Sequence, residues 1–166
     1  MLKPIAFSSG ILPMDDPVIS ANHISTMSEV AIDKVRQLES AVLSVPQVKI
    51  ATDHLIHAGM YSRTIMVPAG VVLTGSLMKI ATILILSGDF LLFAGEKAVE
   101  LHGYNVLAGS PHRKQAGIAI TDTWVTMIFP TDVKTVEEAE AEFTDETDLL
   151  FSRYEDALNN VRITGE

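Results

Sequence analysis

Val67-Pro-Ala-Gly-Val-Val-Leu-Thr-Gly75, Ile83-Leu-Ile-Leu-Ser-Gly-Asp-Phe90 and Ala108-Gly-Ser-Pro-His112 fall within one segment, Tyr61 to Phe129. Short β-branched runs alternate there with glycine and proline, the spacing by which a small β-barrel is written in sequence. Strands are expected near 61–67, 70–77, 81–86, 89–94, 96–101, 104–108, 115–120 and 123–129. Gly70, Gly75, Gly88, Gly95, Gly103, Gly109 and Gly117 sit near the junctions, where tight turns and strand corners need a residue without Cβ.

Outward from the barrel, 166 residues fit one globular domain of four parts. Residues 1–24, with Pro4, Gly10, Pro13 and Pro17, read as an irregular arm lying on its own domain or on a neighbouring subunit. Residues 25–45 form an amphipathic helix, with Thr26 and Glu29 at capping-box spacing. Met27, Val30, Ala31, Val35, Leu38 and Val42 make its apolar face, and it ends before Pro46. Residues 54–130 are the barrel, and 131–166 an acidic helical tail. That tail comprises a helix over 133–143 and a second over 145–161 with Leu150, Phe151, Tyr154, Leu158 and Val161 as its stripe. The fold class is thus mainly β, with an N-terminal helix and C-terminal acidic helices.

Charge and composition exclude several functions. The net charge is −9, and residues 131–166 hold eleven acidic and three basic residues, so the acidity belongs to the tail. No basic stripe or aromatic platform is present, which argues against duplex nucleic acid as a partner. A small anion in a pocket needs only one or two cations. The apolar run 80–95 is interrupted at Ser87, Gly88 and Asp89 and is too short to span a bilayer. The first residues lack the apolar core and cleavage site of a secretory signal, so a cytoplasmic setting is expected. With no cysteine there is no disulfide, thiolate site or cysteine nucleophile.

The run His54-Leu-Ile-His-Ala-Gly-Met-Tyr61-Ser-Arg63, then Ile65-Met-Val-Pro68-Ala-Gly70 and onward to Gly75, resembles small cupin-like proteins common in bacteriophage genomes. The resemblance continues through Ile83 to Asp89, Ser110-Pro-His-Arg-Lys114-Gln-Ala-Gly117 and Asp122-Thr-Trp124-Val-Thr. It covers residues 54–129 and implies a single cupin-like barrel, a double-stranded β-helix or jelly roll. It carries no defined activity. Cupin enzymes hold a metal with three histidines and a carboxylate, yet residues 71–82 contain neither residue type. Met78 stands where the phage group often has histidine, and Ile120-Thr-Asp122-Thr where it often has histidine and glutamate. No metal or other cofactor is therefore expected.

The remaining candidates are individual side chains. His54 and His57 share a face on a helix but point apart on a strand; with Tyr61 they are the candidate acid–base groups. Asp53 beside His54 faces away in an extended chain, and neither Ser62 nor Ser110 has a base within readable sequence distance. Tyr61 and Arg63 alternate around Ser62 and share one face, and an inward Arg63 needs a carboxylate or an anionic ligand. Lys79 is flanked by apolar residues, and His112, Arg113 and Lys114 form a basic loop suited to phosphate or carboxylate. Tyr61, Arg63, Lys79, His112, Arg113 and Lys114 are thus the candidate ligand-binding residues. Trp124 is read as core or barrel lid. No nucleophile elbow, Walker loop, dinucleotide fingerprint or HExxH is present.

The expectation is a phage-type, metal-independent binder of a small anionic ligand such as a nucleotide. It is expected to self-associate through the N-terminal helix and arm and the C-terminal helices. Two alternatives stand beside it: a metal-independent nucleotide- or phosphodiester-cleaving enzyme using histidine as acid and base, and a structural or assembly component of the virion.

Overall fold

The computed structural model describes residues 19–20, 22–94 and 97–165. Most of the expected arm, 1–24, and the turn glycine Gly95 lie outside the described residues. The chain opens with β1 (Ile19–Ser20) and β2 (His23–Ile24), then α1 (Glu29–Leu43), β3 (Thr52–His57), β4 (Met60–Val67) and β5 (Val72–Thr74). Next come β6 (Thr82–Ser87), β7 (Phe90–Ala94), β8 (Lys97–Leu101), β9 (Tyr104–Gly109), β10 (Ala116–Ala119) and β11 (Thr123–Pro130). After α2 (Val136–Phe143) and two 3-10 turns, Thr147–Leu149 and Phe151–Arg153, the chain closes with β12 (Asn159–Ile163). The eight strands expected between 61 and 129 are β4 to β11.

Those eight strands form two facing sheets. One carries the order β9-β6-β11-β4 within a larger sheet β1-β2-β9-β6-β11-β4-β3-β12, and the other is β5-β10-β7-β8. Consecutive strands pass between the sheets and return beside earlier ones, which is the interleaved Greek-key order of a jelly roll, the fold of cupins. Strand alternation then sorts the side chains. Val67, Leu86, Phe90, Leu92, Leu107 and Ala119 fill the far end of the lumen. Tyr61, Phe129, Phe143 and Leu150 close the near end beneath α2.

The first helix differs from its expected detail. Ser28, not Thr26, is the N-cap and accepts from the Ala31 N–H at 3.2 Å; the Thr26 hydroxyl instead donates to the Pro111 carbonyl. Met27, Ala31, Ile32 and Val35 are buried against Ala116, Leu77 and Phe93 on the outer face of the smaller sheet. Val30 and Leu38, expected on the apolar face, are 63% and 37% exposed. The face is rotated because Ile32, absent from the expected stripe, packs inward and draws the helix towards that side.

The tail departs further. The second expected helix is replaced by the two 3-10 turns and β12, which pairs in parallel with β3, Val161 opposite His54. The edge of β3 leaves backbone N–H and C=O groups open, and pairing them outweighs the weak helical tendency of Asp156 to Asn160. Thr52–His57, expected only as the approach to the barrel, is itself a strand. It joins β4 by a two-residue hairpin in which Ala58 and Gly59 both take positive φ, 48° and 72°. Trp124 is also corrected: it is 51% exposed on the outer face of the larger sheet, because the inward set of β11 is Thr123, Val125, Met127 and Phe129.

Candidate functional site

Between the sheets lies a cavity of about 210 Å³. Ile65, Leu73, Leu84, Leu86, Leu92 and Val125 form much of its apolar wall, and its rim is built from the end of α1 and the segment Leu149 to Tyr154. Arg63, Arg113 and Gln115 bring charge and amide groups from the barrel to that wall, beside the hydroxyls of Thr74 and Ser76.

Strand alternation explains two of them. Arg113 and Gln115 flank Lys114 in an extended stretch tied to Met78 and Gly75 by backbone hydrogen bonds, so they turn to the lumen while Lys114 turns to α1. The Arg113 guanidinium lies over Gly109, whose missing Cβ would stand 2.6 Å from Cζ. Nη2 donates to the Thr82 hydroxyl at 2.6 Å, and Nη1 donates to the carbonyls of Ile80 at 3.4 Å and of Ser110. Arg113 is 1% exposed, and among the described residues no carboxylate pairs with it. Its Nε–H and the Gln115 side-chain nitrogen are buried donors without an acceptor. Burial pulls the guanidinium down to about 10, still three units above neutral pH, so it remains a cation.

The other expected cations are all engaged. Lys114 is fully buried between Glu39 at 3.1 Å and Glu146 at 2.7 Å. Burial pushes the Glu146 carboxyl up, but hydrogen bonds from Lys114 and the Leu77 N–H, with the charges of Lys114 and Arg36, hold it below the usual range. His112 is exposed, in the left-handed region at φ 57°, with Nε2 2.7 Å from Glu29. Lys79 reaches Asp145 at 2.7 Å and the Ala141 carbonyl at 3.1 Å on the surface, tethering α2. The basic loop therefore does not converge on one point: the side chains of His112, Arg113 and Lys114 face solvent, lumen and helix in turn.

Tyr61 and Arg63 share the inner face, as strand alternation requires. The carboxylate that an inward Arg63 needs is Glu140 of α2, 2.8 Å away and 1% exposed, and Arg63 also donates to Ser152 at 2.9 Å. Ser152 and Arg153 both donate to the same carboxylate. Behind this cluster Tyr61 and His54 are each 0% exposed and 2.8 Å apart. Asn159 donates its amide N–H to the Ser152 carbonyl, which leaves Oδ1 facing His54 Nε2 at 3.3 Å. His54 then carries its proton on Nε2, and Nδ1 accepts from the Tyr61 hydroxyl. Burial first, then the Arg63 charge, lower the His54 pKa, and burial pushes Tyr61 up to about 12. Neither side chain lines the cavity. His57 points the opposite way, exposed, with Nδ1 2.8 Å from the Thr164 hydroxyl.

Two features were out of reach of sequence reasoning. Glu140 sat in an acidic tail with nothing to mark it as buried. Ser110 has an imidazole within hydrogen-bond distance, His23 Nε2 at 2.8 Å, supplied by a strand 87 positions away. Among the described residues no group of three or more His, Asp or Glu is placed to hold a metal ion, and no helix is long and apolar enough to cross a membrane.

No family model and no curated protein matches the sequence. Among solved structures, KdgF from Halomonas sp. is 14% identical, with 54% of this chain and 87% of that one covered at TM-score 0.44. A cupin superfamily protein from Desulfitobacterium hafniense DCB-2 is 14% identical, covering 56% and 87% at TM-score 0.42. An oxalate oxidase in complex with the substrate analogue glycolate is 11% identical, covering 53% of each chain at TM-score 0.42. The jelly-roll assignment stands on strand order and needs none of these.

Proposed function

We propose that this cupin-like barrel is a metal-independent binder of a small anionic ligand, held in its lumen. One observation carries the reading: Arg113 is a buried cation at the cavity wall with no carboxylate partner. Burying a charge unpaired costs several kcal/mol, and every other buried cation among the described residues has an acidic partner. An anion seated against Arg113 would offset that cost and, with a small turn of either side chain, give the buried unpartnered donors of Arg113 and Gln115 an acceptor. The acid–base alternative draws no support from His54 and Tyr61, which lie sealed behind the wall. The resemblance of residues 54–129 to phage proteins supports the cytoplasm of an infected host as the setting. Thermal melts of the intact chain against small carboxylates and phosphates test the site. At least one anion should raise the melting temperature, and Arg113→Met should remove the shift; no shift from any anion, or one indifferent to Arg113, refutes it.

Self-association is proposed through a different surface from the terminal helices, because α1 buries its apolar face on its own barrel and Leu150 is buried in its own core. On the outer face of the larger sheet, Tyr104, Trp124, Ile83 and Val106 are 70%, 51%, 46% and 44% exposed. The outward positions of β9, β6, β11 and β4 carry no charged side chain. In a chain of net charge −9, that neutral sheet face is where a second copy can approach without like-charge repulsion. Light scattering on the eluting protein reads the outcome directly, and a strict monomer at high concentration would sink the idea.

A further inference from the structure

We infer that the ligand of this lumen is a compact apolar monoanion, a carboxylate joined to one ring or a short hydrocarbon tail, and not a nucleotide. The inference rests on the lumen reading above and concerns which class of anion the site accepts.

Charge and size both select. At this wall the unpartnered buried donors among the described residues are one cationic group, Arg113, and one neutral amide, Gln115. Arg63 is committed to Glu140 and Ser152, and Lys114 to Glu39 and Glu146. A carboxylate carries one charge and accepts two such donors from one side, whereas a phosphomonoester dianion would keep an unmatched charge in an apolar cavity. Beyond these donors the wall around Ile65, Leu84, Leu86, Phe90 and Leu92 is aliphatic and aromatic, and its other uncharged polar side chains are Thr74 and Ser76 at the end of β5 with Gln47 and Tyr154 from the rim segments.

Volume sharpens this. A dry apolar cavity of about 150 Å³ takes a benzene molecule, so 210 Å³ leaves room for a ring and a carboxylate. A base, sugar and phosphate together exceed it. The head group is placed against the guanidinium, which fills the space that Gly109 leaves at the wall, and the tail runs along the lumen towards Leu86 and Leu92. Arg113 is then retained for binding at a cost to the empty protein.

Calorimetric titration of the full chain with phenylacetate, phenylacetamide, acetate and adenosine monophosphate separates the possibilities. Phenylacetate should bind. Acetate, lacking the ring, and phenylacetamide, lacking the charge, should each bind at least about 10-fold more weakly, on the order of one charge-assisted hydrogen bond or a buried ring. Arg113→Met should weaken phenylacetate by roughly 10- to 100-fold while leaving the melting temperature of the empty protein unchanged or raised, since it removes a buried unpaired charge. Gln115→Leu, which keeps the volume, should give a smaller loss. Arg113-dependent binding of adenosine monophosphate in preference to phenylacetate would overturn the ligand class and leave the anion site standing. Equal binding of the amide would overturn the class on the ground that charge is not read. An Arg113→Met protein that binds as well as the parent, or a parent that binds none of the four, overturns both the class and the site.

Discussion

His54 and Tyr61 make one buried unit, and each constrains stability at a different end of the pH scale. His54 is held neutral, its folded pKa below the ordinary value of 6.5. Its stabilising contribution is complete above 6.5 and is lost as the pH falls from there through the folded value, because only the unfolded chain protonates freely. Tyr61 is raised from 10 to about 12, so its contribution is complete below pH 10 and is lost between about 10 and 12. Urea denaturation across pH 5 to 8 should show stability falling on the acid side, and His54→Gln should flatten that limb; an unchanged slope would show that another group controls it. Much at this scale was legible. Tyr61 and Arg63 share a face because strand side chains alternate, and the same rule separates His54 from His57. The partners were not legible: Glu140 lies 77 positions from Arg63 and Asn159 lies 105 from His54, and no local pattern marks which acidic or amide side chain will be buried.

At the scale of elements, the β3–β4 hairpin carries a local conflict. A two-residue turn of this hand requires positive φ at both positions, and Ala58 supplies it at 48° against the clash of its Cβ, about 1–2 kcal/mol. Ala58→Asn should therefore raise stability by roughly 0.5–1 kcal/mol, read as a higher melting temperature. The C-terminal segment is held differently, by side chains more than by its own backbone. Glu140 on α2 gathers Arg63 from the barrel with Ser152 and Arg153 from the second 3-10 turn. Glu140→Ala would leave Arg63 buried without its carboxylate and is expected to cost about 3–5 kcal/mol, with faster proteolysis within 147–157 as the segment loosens. A loss below about 1 kcal/mol would mean that apolar packing alone holds it. Sequence periodicity placed β4 to β11 within a few residues, since glycine and proline punctuate a barrel at every corner. It failed at β12 because the pull there is the open edge of β3, not the segment's own pattern.

For the whole molecule, net charge and the neutral sheet face act against each other. Two copies of a −9 chain repel, while the outer face of β9, β6, β11 and β4 offers apolar surface. The exposed half of one tryptophan, about 100 Å², contributes on the order of 2.5 kcal/mol when covered. Salt screens the repulsion and leaves the burial intact. Association should therefore strengthen between about 20 mM and about 500 mM sodium chloride, and Trp124→Glu should abolish it at both; weakening with salt would point to ion pairs at the contact and against this face. The sequence by itself determined that residues 61–129 form a β-barrel, that α1 covers something, and that residues 71–82 carry no histidine or carboxylate, because turn chemistry, periodicity and residue identity are written locally. Only the tertiary structure decided which cation lacks a partner. Arg63, Lys114 and Arg113 look alike along the chain, and their difference is that two meet carboxylates brought from α1, α2 and the tail while Arg113 meets only Gly109, Thr82 and backbone carbonyls inside the lumen.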